Sequence, residues 1–190
     1  MTSRGGLHIV VGEKVAVETL GMGTPPGNYP GEFTPTVVRL IERELLLLGI
    51  GLGPYKKVLH LFSGSSTIGD VRVDLDHKNA TVKGDVFEWL ASPEANRVWS
   101  VIVLDPPYEL SASKKKSIGY ACPKPLATSV KNRRQFVAYA DAHALWVIWL
   151  DACAPRPKGW SRSALYWLLP GGYRRPRVLS VLRTNKQWPS

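Results

Sequence analysis

Three groups of residues in this 190-residue chain have types and spacings that can do chemistry. The most specific is Asp105-Pro106-Pro107-Tyr108. Two prolines lock a rigid turn and remove two backbone donors. The Asp105 carboxylate and the neighbouring carbonyls are then pure acceptors beside an aromatic face. Such a turn suits a planar group bearing an NH2. The second group is Phe62-Ser63-Gly64-Ser65-Ser66-Thr67-Ile68-Gly69, whose small residues let backbone approach a ligand closely. The third is Asp74, with Asp76 as its competitor, where a carboxylate can accept both hydroxyls of a ribose. Taken alone, the second reads as a flexible loop and the third as an exposed strand-end aspartate. Their order ahead of the proline turn is what gives them weight.

The elements that must position these groups are legible as short apolar runs. Val58–Phe62, Val71–Asp74, Val82–Asp85 and Val101–Leu104 read as strands, and each of the three groups follows one of them. Strands that are apolar throughout, without alternation, belong to a sheet covered on both faces, so the expected class is α/β with a mostly parallel sheet. In such sheets ligands bind beyond the carboxyl ends of the strands. A helix is expected from Thr34 as N-cap, with Pro35 at its first position, Val37, Ile41, Leu45 and Leu48 at helical spacing and Gly49 ending it. Val86 to Ala91 and Arg134 to His143 read as helical, residues 109–134 as a long polar loop, and Leu145–Leu150 as a fifth strand. Ala164–Leu169 and Arg177–Arg183, around a Pro-Gly-Gly turn, read as an antiparallel hairpin closing one edge, with a helix as the alternative for the first arm. Residues 1–33 read as an N-terminal extension holding a hairpin of Leu7–Val11 and Lys14–Leu20, and 34–190 as the main domain.

VLHLFSGSSTIG, VDLD, GDVFEWL and VIVLDPPY resemble successive motifs of class I S-adenosylmethionine-dependent methyltransferases. The DPPY form is similar to that of enzymes methylating exocyclic amino groups of bases, adenine N6 or cytosine N4. The resemblance is strongest over residues 55–110 and extends to Phe33-Thr34-Pro35, which is similar to a motif on the methionine side of the cofactor. It implies a Rossmann-like methyltransferase sheet and S-adenosylmethionine as cofactor. Phe62, Ser63, Gly64 and Ser65 would lie along the methionine and ribose, with Thr34 and Pro35 nearby. Asp74 or Asp76 would take the ribose, and Asp85 and Val86 the adenine. Asp105 and the Pro106 carbonyl would hold the target amine within the rigid Pro106-Pro107 turn, and Tyr108 would stack on the extruded base.

The chain departs from the family where His60 replaces a frequent acidic residue and Ser66 a frequent glycine. Gly69 to Asp74 is also too short for the usual crossover helix, so an extended crossover is expected, with the 1–33 segment or a second subunit covering the sheet face it exposes.

Charge points to a polyanionic partner. Lys plus Arg is 25 against Asp plus Glu 15, a net of +10. Lys114, Lys115 and Lys116, then Lys131, Arg133 and Arg134, then Arg174, Arg175 and Arg177 form three basic clusters suited to a phosphate backbone. DNA is the expected partner, and RNA the alternative within the same chemistry. A fold-retaining nucleic-acid-binding protein without turnover is the alternative of another class. A homodimer or a specificity partner is allowed for. The histidines show no metal-ligand spacing, so no metal is expected. Cys122 and Cys153 read as thiols in small apolar positions, no long apolar run reaches a membrane span, and the expected compartment is the cytoplasm.

Overall fold

The computed structural model describes residues 15–23, 33–50, 57–106, 129–170 and 176–184. Among the described residues, eight strands form one sheet: β1 (Ala16–Gly21), β2 (Val58–Leu61), β3 (Val71–Asp74), β4 (Val82–Lys83), β5 (Trp99–Leu104), β6 (Ala144–Asp151), β7 (Ser161–Leu169) and β8 (Arg177–Arg183). Their order is β1-β7-β8-β6-β5-β2-β3-β4. All neighbours are parallel except β8, which is antiparallel to both β6 and β7. From β2 the chain steps outward to β3 and β4, then returns to add β5 on the other side. The gap between β2 and β5 is therefore a topological switch point, where open α/β sheets bind ligands.

Helix α1 (Pro35–Leu47) covers one face and α2 (Val86–Leu90) with α3 (Val130–His143) the other. The alternation is clean across the middle. Val58, Val101, Val103, Ile148 and Leu150 pack beneath α1, while Leu59, Leu61, Ile102, Leu104 and Trp149 face α2 and α3. Helix α1 begins as expected, since the Val37 N–H donates to Thr34 Oγ1 at 3.3 Å. It ends in a Schellman motif: the Ile50 N–H donates to the Leu45 carbonyl and the Gly49 N–H to that of Leu46, with Gly49 at φ +76°.

No helix lies between β2 and β3. The chain instead runs back in extended form over the α1 face of β2. Ile68 enters the core there, and Gly69, at φ +99°, passes so close that a Cβ would stand 3.1 Å from the Val58 carbonyl oxygen. The Asp70 N–H then donates to that carbonyl at 2.9 Å, and Asp70 Oδ2 accepts from the Val58 N–H at 3.0 Å. The face left without a crossover helix is filled by α1, Ile68, Phe33 and Met22.

Several boundaries differ from the sequence reading. Helix α3 starts at Val130 rather than Arg134, so the polar stretch Lys131-Asn132-Arg133 is helix and not loop. Ser129 caps it by accepting from the Asn132 N–H. The first arm of the C-terminal hairpin is strand β7, not helix. That hairpin does not close the sheet edge. β8 lies inside, between β6 and β7, and among the described residues β1 forms the outer edge, parallel to β7. Of the two N-terminal β runs, the second supplies β1, while Leu7–Val11 lies outside the described residues. β1 is tied down by Arg43 of α1, whose Nη2 donates to Glu18 at 2.9 Å and whose guanidinium lies over the Tyr166 ring of β7. Cys153 is exposed rather than placed in an apolar site, because it follows β6 on a surface turn; Cys122 lies outside the described residues. No helix among the described residues is long and apolar enough to cross a membrane.

Candidate active site

The carboxyl ends of β2, β3, β4 and β5 place Ser63–Ser66, Asp74 with Asp76, Asp85 and Asp105-Pro106 along one edge of the sheet. Leu61 of β2 is in register with Leu104 of β5. The serine-glycine loop and the Asp105-Pro106 segment therefore leave adjacent strands side by side, at the switch point. Pro107, Tyr108, Lys114, Lys115, Lys116, Arg174 and Arg175 lie outside the described residues.

The loop after β2 turns sharply, with Phe62 at φ +56° and Gly64 at φ +50°. Asp74 holds it. Its Oδ2 accepts from the Gly64 N–H at 2.8 Å, and its Oδ1 from the N–H groups of Asp76 and His77 at 3.4 and 3.3 Å. Asp74 is buried, so its carboxylate is a backbone organiser. The Asp76 side chain is 95% exposed and lies 4.0 Å from Lys83 Nζ. Asn79 adds a second tie, donating from Nδ2 to the Ser65 carbonyl at 2.7 Å.

His60 faces α1 from β2 and is completely buried. Its ring stacks on Phe33, with centroids 5.4 Å apart and planes at 20°. This contact brings the Phe33-Thr34-Pro35 segment onto the strand that leads into the loop. Burial lowers the His60 pKa to about 4, with the Arg72 charge adding to the effect against a hydrogen bond to the Ile68 carbonyl. The ring is therefore neutral at pH 7 and carries its proton on Nδ1, 3.2 Å from that carbonyl. Nε2 is left as a buried acceptor without a partner, and Ser63 Oγ is likewise buried and unpartnered. Thr34 is buried with its hydroxyl engaged as the α1 cap, and Pro35 is exposed.

Asp85 caps α2, its Oδ1 accepting from the N–H groups of Phe87 and Glu88 at 2.8 and 3.1 Å. Val86 is buried against Phe87 and Trp89 in the core below. At the end of β5, Asp105 and Pro106 are buried. Arg177 Nη1 lies 3.7 Å from Asp105 Oδ2. Of the basic residues, Lys131 and Arg134 are exposed on α3, whereas Arg133 is half-buried and Arg177 turns toward Asp105.

Sequence reasoning missed two groups. Asp151 ends β6 as Asp105 follows β5, and the same pattern of an apolar strand running into an aspartate marked it. It is fully buried, Oδ1 accepts from the Ala152 N–H, and Oδ2 has no hydrogen-bond partner. Burial raises its pKa against the pull of that N–H and of Arg133. The second is the Arg177–Asp105 pair, which spans strands and leaves no local signature.

The donor set fits the cofactor that the resemblance implies. His60 Nε2, an acceptor on the neutral ring, and Ser63 Oγ, a hydroxyl, are both buried and unpartnered, and groups of these kinds can pair with the ammonium and carboxylate of a methionine moiety. No protein-family model, no curated protein and no solved structure matches this chain.

Proposed function

We propose that this chain transfers a methyl group from S-adenosylmethionine to an exocyclic amino group of a nucleic-acid base, adenine N6 of DNA first and cytosine N4 second. The observation that carries the reading is the convergence, on adjacent strands at the switch point, of the Ser63–Gly64 loop and the Asp105-Pro106 segment. The strand-end carboxylates Asp76 and Asp85, on the same edge, support it as well.

S-adenosylmethionine supplies a methyl group already activated on a sulfonium. His60 Nε2 and Ser63 Oγ would hold its methionine end, the Gly64 loop and Asp76 its ribose, and Asp85 with Val86 its adenine. The protein's task is alignment. An exocyclic amine is a poor nucleophile because its lone pair is conjugated with the ring. The Asp105 carboxylate and the Pro106 carbonyl accept its two hydrogens, which favours a pyramidal nitrogen with its lone pair free to attack. The N–H becomes acidic only as the new bond forms, so Asp105 suffices to receive the proton. The base must leave the stack to reach this turn, at a few kcal/mol, and the stacking role that the resemblance gives Tyr108 offsets part of that.

The test is Asp105→Ala beside the unmodified protein. Calorimetry should show unchanged S-adenosylmethionine binding, while labelled methyl transfer to DNA and RNA disappears. Undiminished transfer by the variant removes Asp105 from the chemistry and the reading with it.

A further inference from the structure

Resting on that reading, we propose that Arg177 is a positioning residue whose guanidinium, delivered by β8, keeps the Asp105 carboxylate ionised and aimed at the target amine. The topology makes this delivery possible. Because β8 is antiparallel to β6, its first residue stands at the edge where the parallel strands end. Arg177 and Asp105 both lie on the α1 side of the sheet, since Leu179 and Val181 of β8 and Val101 and Val103 of β5 pack there. The Asp105 side chain is only 3% exposed and that of Arg177 26%.

A buried carboxylate without a cationic neighbour takes up a proton. Asp105 would then donate where the reaction needs it to accept. Among the described residues, the other titratable groups on this side of the sheet do not supply that charge: on α1, Arg43 pairs with Glu18 and Glu44 is an acid that accepts from the Tyr166 hydroxyl. His60 on β2 is neutral, and Asp74 on β3 and Asp85 after β4 are acids. Arg72 on β3 is committed to the carbonyls of Gly69 and Asn79. Asp151 on β6 is an acid, and Arg133 on α3 bears on it from the opposite face. Arg177 makes the ion pair. Its place in a basic cluster of the sequence pointed to phosphate, whereas its direction in the fold points to the reacting turn.

Three proteins decide this: the unmodified chain, R177Q and R177K. Two readouts are taken, the pH dependence of single-turnover methyl transfer and the carboxyl titration of Asp105 by carbon-13 NMR, assigned with Asp105→Asn and run without substrate or cofactor. In R177Q the Asp105 midpoint and the acid limb of transfer should both rise by about one pH unit or more. The rate at mildly acidic pH should drop roughly tenfold, KM for nucleic acid should hold, and R177K should restore most of the shift. An unmoved midpoint, a loss confined to nucleic-acid KM as for a phosphate contact, or faster transfer by R177Q overturns the proposal. If R177Q does not fold, the unmodified chain decides alone: an Asp105 midpoint below the ordinary value of about 3.9 supports the pairing, and one above it refutes it. Absence of transfer by the unmodified chain sinks the methyltransferase reading, while the titration still judges the pairing.

Discussion

Asp74 and Asp76 stand two residues apart, and burial divides their work. Asp74 accepts three backbone N–H groups and fixes the Gly64 loop; Asp76 stands in solvent. Asp74→Ala strands those donors and should cost about 2 kcal/mol of stability, along with cofactor binding. Asp76→Ala should weaken cofactor binding and leave the melting temperature in place. Denaturant unfolding and calorimetry on both variants separate the two roles. His60 has a different signature. Its folded pKa of about 4 lies below the unfolded value of 6.5, so the unfolded chain binds more protons between them. Stability therefore falls as pH drops through that window and is whole above it. The contribution is roughly 3 kcal/mol at its full extent. Urea unfolding across this range should show a slope that His60→Leu flattens; parallel profiles for the two proteins would refute a buried neutral ring. The histidine was singled out in the sequence through the resemblance alone, as a departure from the acidic residue that the resemblance implies there. Its neutrality was not, because that depends on Phe33 and Ile68 closing over it.

The extended crossover is the element on which the loop depends. It fits because Gly69 adopts φ +99° and lies against the backbone of the strand it passes. Gly69→Ala meets both the strained conformation and the Val58 carbonyl, so a loss of about 2 kcal/mol is expected. A melting temperature equal to that of the unmodified chain would show that the crossover has room to spare. The shortened crossover was legible from spacing, since the stretch between Leu61 and Val71 is too short to hold a helix and return along a strand. The cap and stop of α1 were equally plain, because Thr34, Pro35 and Gly49 act locally. The start of α3 was hidden, because Lys131, Asn132 and Arg133 look like loop until the burial of Asn132 and the Ser129 cap place them in a helix. The position of β1 was hidden for another reason. Its partner β7 is far away in sequence, and the register of Ala16 with Ala164 has no local signal. The Arg177–Asp105 pair belongs to the same class of long-range facts.

At the scale of the molecule, a net charge of +10 would speed encounter with the proposed polyanion. Raising salt from about 50 to about 200 mM should weaken polynucleotide binding by a factor of 100 or more if several phosphates are contacted. Binding of the proposed cofactor, which the proposal seats among His60, Ser63 and the strand ends, should barely respond. Reversing the exposed charges, Lys131→Glu with Arg134→Glu, should reduce binding alike for all sequences and lower the salt slope, as measured by filter binding or anisotropy; an unchanged slope would place the phosphate path elsewhere. The central claim is that one sheet edge holds an activated methyl donor beside a carboxylate that accepts a nucleobase NH2. Its most direct test is nucleoside analysis after incubation of DNA and RNA with the protein and methyl-labelled S-adenosylmethionine. The account predicts label in N6-methyladenosine or its deoxy form, with N4-methylcytosine second, and none with Asp105→Ala. Label only on ring carbon, on ribose or on protein, or no transfer by a chain that binds the donor, would contradict it.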